Sequence, residues 1–132
     1  MRSRILFITG HQDDALHLAQ MLQQQPMAVD HVGTLAQART RLKHQTYSVV
    51  LTEACLPDGN WLDVLDLARE SHCNIEVIVT DLHADARLWA EALNLGAYDL
   101  LAQPFYEPEV RRIFHNACSR ASYSGYRLAA AV

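Results

Sequence analysis

Cysteine is scarce and unpatterned in this 132-residue chain: Cys55, Cys73 and Cys118 are an odd number with no CxxC spacing. That pattern argues against a disulfide framework and a zinc site, and leaves reduced structural thiols in a cytosolic protein as the expectation. A basic block is missing too. Eleven basic residues are scattered among 15 acidic ones, for a formal net charge of −4, so no run of cations is available to neutralise a phosphate backbone and direct nucleic-acid binding is not expected. Nor is there a long apolar run. The opening MRSRILFITG places two arginines before a short apolar stretch, and Gly10 and the polar HQDD follow too soon for a signal peptide or a membrane span. A cytoplasmic location without membrane contact is expected. Sequence repeats and low-complexity stretches are lacking as well. No nucleophile stands with a base beside a binding loop, so an enzyme is not expected.

What is present is enough for one core. A chain of this length fits a single domain, and a composition half apolar and one-fifth charged is that of a soluble globular protein. Apolar runs at 4–9, 27–31, 48–53, 74–80 and 97–101 read as strands, and all but the second are nearly continuous, as strands buried on both faces should be. Segments of helical period begin near Asp14, Leu35, Trp61, Asp85 and Glu107, with Asp13, Thr34 and Asn60 as candidate caps. In the last helix, Val110, Ile113, Phe114 and Ala117 recur at three and four residues and predict one apolar stripe against a sheet. The order is β then α, five times. Right-handed crossovers then give a parallel sheet with helices on both faces. The domain is expected over 1–120, with 121–132, rich in Ala, Ser and Tyr, as a tail or truncated linker.

Ligands of an open parallel sheet sit beyond the carboxyl ends of the strands. The residues to watch are therefore 9–14, 53–58, 81–85 and 103–105. His11 and His83 fall among them, but no HxxxH pair accompanies either, so a metal site is not expected and surface or pocket-lining histidines are.

The segment YSVVLTEACLPDGNWLDVL at 47–65 resembles the third strand and following loop of response-regulator receivers, and IEVIVTDLHADARLWAEALNLGAYDLLAQPF at 75–105 resembles their fourth and fifth strands. With RILFITG the likeness covers residues 4 to 118, and LPDG, LGAYDLL and QPF stand at the family's spacing. The resemblance implies an α/β fold, a (βα)5 flavodoxin-like, doubly wound five-stranded parallel sheet of order 2-1-3-4-5, in a receiver domain of two-component phosphorelay signalling.

The departures from the family pattern are concentrated at its phosphorylation pocket. Receivers hold magnesium with an acidic pair after the first strand, and here those positions are Thr9 and Gly10. Asp13 and Asp14 lie a turn further on, where a cap and first-turn carboxylates are expected. The phospho-accepting aspartate is replaced by Glu53, the switch hydroxyl by Asp81 (with Thr80 one residue earlier), the phosphate-neutralising lysine by Gln103, and the switch aromatic by Leu100. A phosphate would bring about −1.5 to −2 charges beside Asp81 with no lysine to offset them, and phosphoryl transfer depends on such compensation. The resemblance therefore implies a pseudo-receiver. Magnesium binding is expected to be lost or weak, and no cofactor is expected.

Glu53 imitates phosphoaspartate poorly, having one charge and two oxygens. A hydrogen bond from Gln103 to Glu53, a close approach of Glu53 to Asp81 that shares a proton or recruits a cation, and a solvated relic of an old active site are the roles open to it. Trp61 is expected over the pocket mouth. In receivers the face of the fourth helix, fifth strand and fifth helix docks partners. Here Leu88, Ala92 and Leu95 are expected to cover the sheet, which turns Trp89 and Leu93 outward near Leu100 as an apolar patch. The expected function is a phosphorylation-independent protein-interaction or homodimerisation module. The alternative is a weakly active phosphoreceiver using Glu53 as acceptor.

Overall fold

The computed structural model describes residues 3–71 and 74–131, and side chains as far as residue 121. Cys73 lies outside the described residues. Five parallel strands, β1 (Ser3–Ile8), β2 (Met27–Val32), β3 (Val49–Glu53), β4 (Glu76–Asp81) and β5 (Asp99–Ala102), form one sheet in the order β2-β1-β3-β4-β5. The crossovers are α1 (Gln12–Met21), α2 (Leu35–His44), α3 (Trp61–Glu70) and α4 (Ala86–Asn94), and α5 (Glu107–Ala131) follows the last strand. This is the flavodoxin-like arrangement expected. Among the described residues, no helix is long and apolar enough to cross a membrane.

The near-continuous apolar runs become strands whose alternate residues feed two separate cores. Ile5, Phe7, Val49, Leu51, Ile78 and Leu101 point to one face, where Leu18, Val110, Ile113, Phe114 and Ala117 of α1 and α5 cover them. Leu6, Ile8, Val50, Val77, Val79 and Leu100 point to the other, beneath Leu35, Ala38, Val64, Leu65, Ala68 and Ala92 of α2, α3 and α4. Each large apolar side chain fully buried in this way contributes roughly 1.5–3 kcal/mol. The expected stripe of α5 is present in full. β2 has the interrupted run because it lies at the sheet edge, with four central residues only partly buried.

Caps set the helix starts. Thr34 accepts from the Gln37 backbone N–H at 3.1 Å, Asn60 and Asp63 form a capping box, and Asp85 accepts from the Leu88 N–H at 2.8 Å. Asp13 does not cap: α1 begins two residues earlier, with His11 at the cap and Asp13 and Asp14 in its first turn.

Two further expectations are corrected. Leu95 is 42% exposed, since α4 ends at Asn94 and Leu95 leads into Gly96 at φ 110°, a turn that lifts it off the sheet. Trp61 is buried against the α2–α4 side of the sheet rather than covering a pocket, because its backbone N–H is held by the Ala54 carbonyl at 3.0 Å and its position opens α3. The LPDG segment forms an antiparallel hairpin pairing Cys55–Leu56 with Gly59–Asn60. The last helix, α5, runs unbroken past residue 120.

Candidate functional site

The carboxyl ends of β1, β3, β4 and β5 open into a cleft of about 540 Å³ lined by His11, Asp13, Asp14, Glu53, Ala54, Cys55, Thr80, Asp81, Leu82, His83, Gln103 and Pro104. Register explains the convergence. Ile8 pairs with Thr52 and Glu53 with Thr80, so Thr9, Glu53 and Thr80 stand at one level at the carboxyl end of the sheet. The Gln103–Pro104 peptide is cis, and Phe105 beyond it packs on Phe7 with ring centroids 6.1 Å apart.

Thr9 is wholly buried and donates its hydroxyl to Oε1 of Glu53. The same hydroxyl oxygen accepts the His11 backbone N–H at 3.0 Å, and the Thr9 carbonyl lies 2.8 Å from Nε2 of His31 on β2. The His11 ring approaches Glu53 from solvent, with Nε2 4.0 Å from Oε1. The Glu53 side chain is 18% exposed. Glu53 thus meets a threonine across the β1–β3 pair, a contact that linear sequence does not disclose.

Gln103 turns elsewhere. Its amide nitrogen donates to Thr80 Oγ1 at 3.1 Å rather than to Glu53, and the Thr80 hydroxyl in turn donates to the Leu101 carbonyl at 2.7 Å. Thr80 is fully buried, so the register with Thr80 as a free switch hydroxyl is replaced by one in which that group braces β4 against β5. Asp81 accepts the His83 backbone N–H at 2.7 Å, so it and Glu53 have separate hydrogen-bond partners.

Octahedral magnesium asks for several well-placed oxygens. At the two positions after β1 the chain offers a hydroxyl already committed to Glu53 and a glycine with no side chain. The residues at these positions do not fit the ion. Among the described residues, no group of three or more His, Cys, Asp or Glu is arranged to hold a metal. Of the thiols, Cys118 is buried, which pushes its pKa up and keeps it protonated, whereas Cys55 is exposed beside the cleft.

The output residues separate by depth. Trp89 is 49% exposed and its indole N–H donates to Asp99 at 3.3 Å, which lays the ring over the start of β5. Leu93 is partly buried. Leu100 is 8% exposed and belongs to the core, because strand alternation aims it beneath α4; it does not contribute to a surface patch.

Asp58, in the hairpin turn, lies in the watched stretch 53–58, but its role is not one that the sequence pattern shows. Its carboxylate accepts the Leu35 and Ala36 backbone N–H groups at 2.8 and 3.0 Å, capping α2 from outside. These bonds hold its pKa below the ordinary value. Gly59 beside it permits the close turn, since a Cβ there would stand 2.6 Å from Asp63 Oδ2 and 2.9 Å from Leu35 Cδ2.

Comparison with known proteins agrees with the geometry. A family model described as response regulator receiver domain matches residues 5–115. Regulatory protein LuxO of Vibrio vulnificus is 31% identical over 99 residues, covering 74% of this chain and 22% of that protein, so the chain spans about a fifth of that relative's length. The signal receiver domain of a putative LuxO repressor protein from Vibrio parahaemolyticus superposes with a TM-score of 0.86 at 22% identity, covering 94% of this chain and 95% of the other. The beryllofluoride-activated NtrC4 receiver domain, described as a dimer, superposes with a TM-score of 0.81 at 23% identity, covering 89% and 98%.

Proposed function

The chain belongs to the response regulator receiver domain family of two-component signalling, and on that premise we propose that it signals through protein contacts without conventional phosphoryl transfer. One observation carries the reading: the Glu53 carboxylate at the acceptor position is engaged by the Thr9 hydroxyl, while Gln103, at the position of the compensating cation, is neutral and bonded to Thr80. A phosphoryl group arriving there finds no positive charge from either residue. The cleft lining instead holds four carboxylates, Asp13, Asp14, Glu53 and Asp81, and neither lysine nor arginine. Removing electrostatic stabilisers of this kind costs on the order of 10²–10³ in rate for each donor lost.

In this reading the domain is a cytoplasmic interaction module, not an enzyme, and has neither a magnesium cofactor nor a nucleic-acid partner of its own. Its partner is a protein or a second copy, met at the face of α4, β5 and α5, where Trp89 is the exposed aromatic. The NtrC4 receiver neighbour is described as a dimer, which supports self-association as a use for that face. A second reading, a weakly active phosphoreceiver with Glu53 as acceptor, is favoured by the cleft being open beside that residue.

Incubation with acetyl phosphate and magnesium, followed by intact mass, separates the two. The expected result is no adduct and no magnesium-dependent change in Trp61 or Trp89 fluorescence. An adduct that maps to Glu53 would overturn the contact-only reading in favour of the second.

A further inference from the structure

The cleft residues that no longer serve phosphoryl chemistry are not idle: they bond to one another across four strand ends. Thr9 at the end of β1 donates to Glu53 at the end of β3. Gln103 after β5 donates to Thr80 on β4, and Thr80 donates back to the Leu101 carbonyl. The Ala54 backbone N–H, just past Glu53, meets the Thr80 carbonyl at 3.1 Å and joins the two halves. The Thr9 donor is neutral, so it holds the Glu53 carboxylate without bringing in an ion, and the Gln103 amide holds Thr80 in the same uncharged way.

We propose that Thr9–Glu53 and Gln103–Thr80 form a built-in latch that ties the ends of β1, β3, β4 and β5 together and holds the receiver in one resident conformation. The inference rests on the contact-only reading above, and gives it a means. A domain with no phosphoryl group to change its state must display its partner face constantly, and a preformed set of hydrogen bonds between the loops does that. The residue types suit the role. Glutamate at 53 reaches one methylene beyond aspartate. Threonine at 9 supplies a hydroxyl proton where a carboxylate would repel Glu53, and glutamine at 103 supplies a donor that lysine would present as a charge. A bond to a charged acceptor that is lost without replacement shifts a local opening equilibrium by about tenfold to a hundredfold.

Amide hydrogen exchange on the full chain tests this with Thr9→Val, which keeps the shape and removes the donor, and Glu53→Asp, which keeps the charge and shortens the reach. Both are expected to speed exchange by about tenfold or more in residues 10–14 and 82–85 and in α4, while α2, on a different part of the surface, keeps its wild-type rate. Unchanged rates in those segments, or acceleration in α2 as large as at the cleft, would overturn the latch. The acetyl phosphate experiment on the wild-type chain is a separate readout: an adduct there counts against the contact-only reading, whereas the exchange pattern alone decides whether the bonds act as a latch.

Discussion

Asp58 accepts the backbone N–H of Leu35 at 2.8 Å, so the turn that follows β3 also caps the helix that precedes it in sequence by more than a dozen residues. The Ala36 N–H adds a second bond, and together they lower the carboxyl pKa below its ordinary 3.8. A group depressed on folding contributes stability above its unfolded pKa and loses it as pH falls through the folded value. Asp58→Asn is therefore expected to lower the urea midpoint at pH 7, with the gap from wild type closing as pH falls below 3.8. A gap of constant size from pH 7 to pH 2 would show that the charge does not contribute.

Restoring the family residues should restore the chemistry. In the variant carrying Thr9→Asp, Gly10→Asp, Glu53→Asp, Asp81→Thr and Gln103→Lys, acetyl phosphate with magnesium is expected to give a phosphorylated product by intact mass, at a rate at least ~10² above wild type. Space permits it at Gly10, where a Cβ would meet no heavy atom within 4 Å. A folded variant with no adduct would mean that these positions are not the register of the old site.

Trp89 and Leu100 provide a paired test of the docking face. Trp89→Glu is expected to lower the solution mass of any self-associated form, read by light scattering, with little effect on the unfolding midpoint. Leu100→Ala opens a cavity in the core and is expected to cost roughly 2–4 kcal/mol in denaturant unfolding without changing that mass. If Trp89→Glu leaves both mass and partner recovery untouched, this face is not the interface.

Gly96 closes α4 at φ 110°, and a Cβ there would stand 2.8 Å from Nη2 of Arg69. Gly96→Ala is expected to destabilise by about 1–3 kcal/mol through the left-handed backbone, seen as a lower urea midpoint at unchanged slope. Arg69→Ala in the same chain removes the close neighbour. It is expected to recover little, because the backbone cost remains.

The sheet was legible because its strands are buried on both faces, so composition alone marked β1, β3, β4 and β5. Thr34 and Asn60 were legible as caps because their position before an apolar period has a local cause. The hairpin at Cys55–Leu56 and Gly59–Asn60 was missed because two-residue strands leave no periodic trace. Leu95 was misplaced because period continues on paper past the residue where Gly96 ends the helix. At the cleft, the positions of Glu53, Asp81 and Gln103 followed from spacing, but their partners did not. Whether Gln103 reaches Glu53 or Thr80 is decided by side-chain rotation after the strands are aligned, and a linear pattern carries no information about that.

Because successive strand residues face opposite sides, Phe7 and Ile8 are covalent neighbours that belong to different cores. The sheet acts as a partition: a void made at Val64 beneath α3 and another at Phe114 beneath α5 have no shared packing through which to relax. Their free-energy losses should add, as they do for independent sites. One side of the molecule can then accumulate substitutions while the other keeps its own tolerance in reserve.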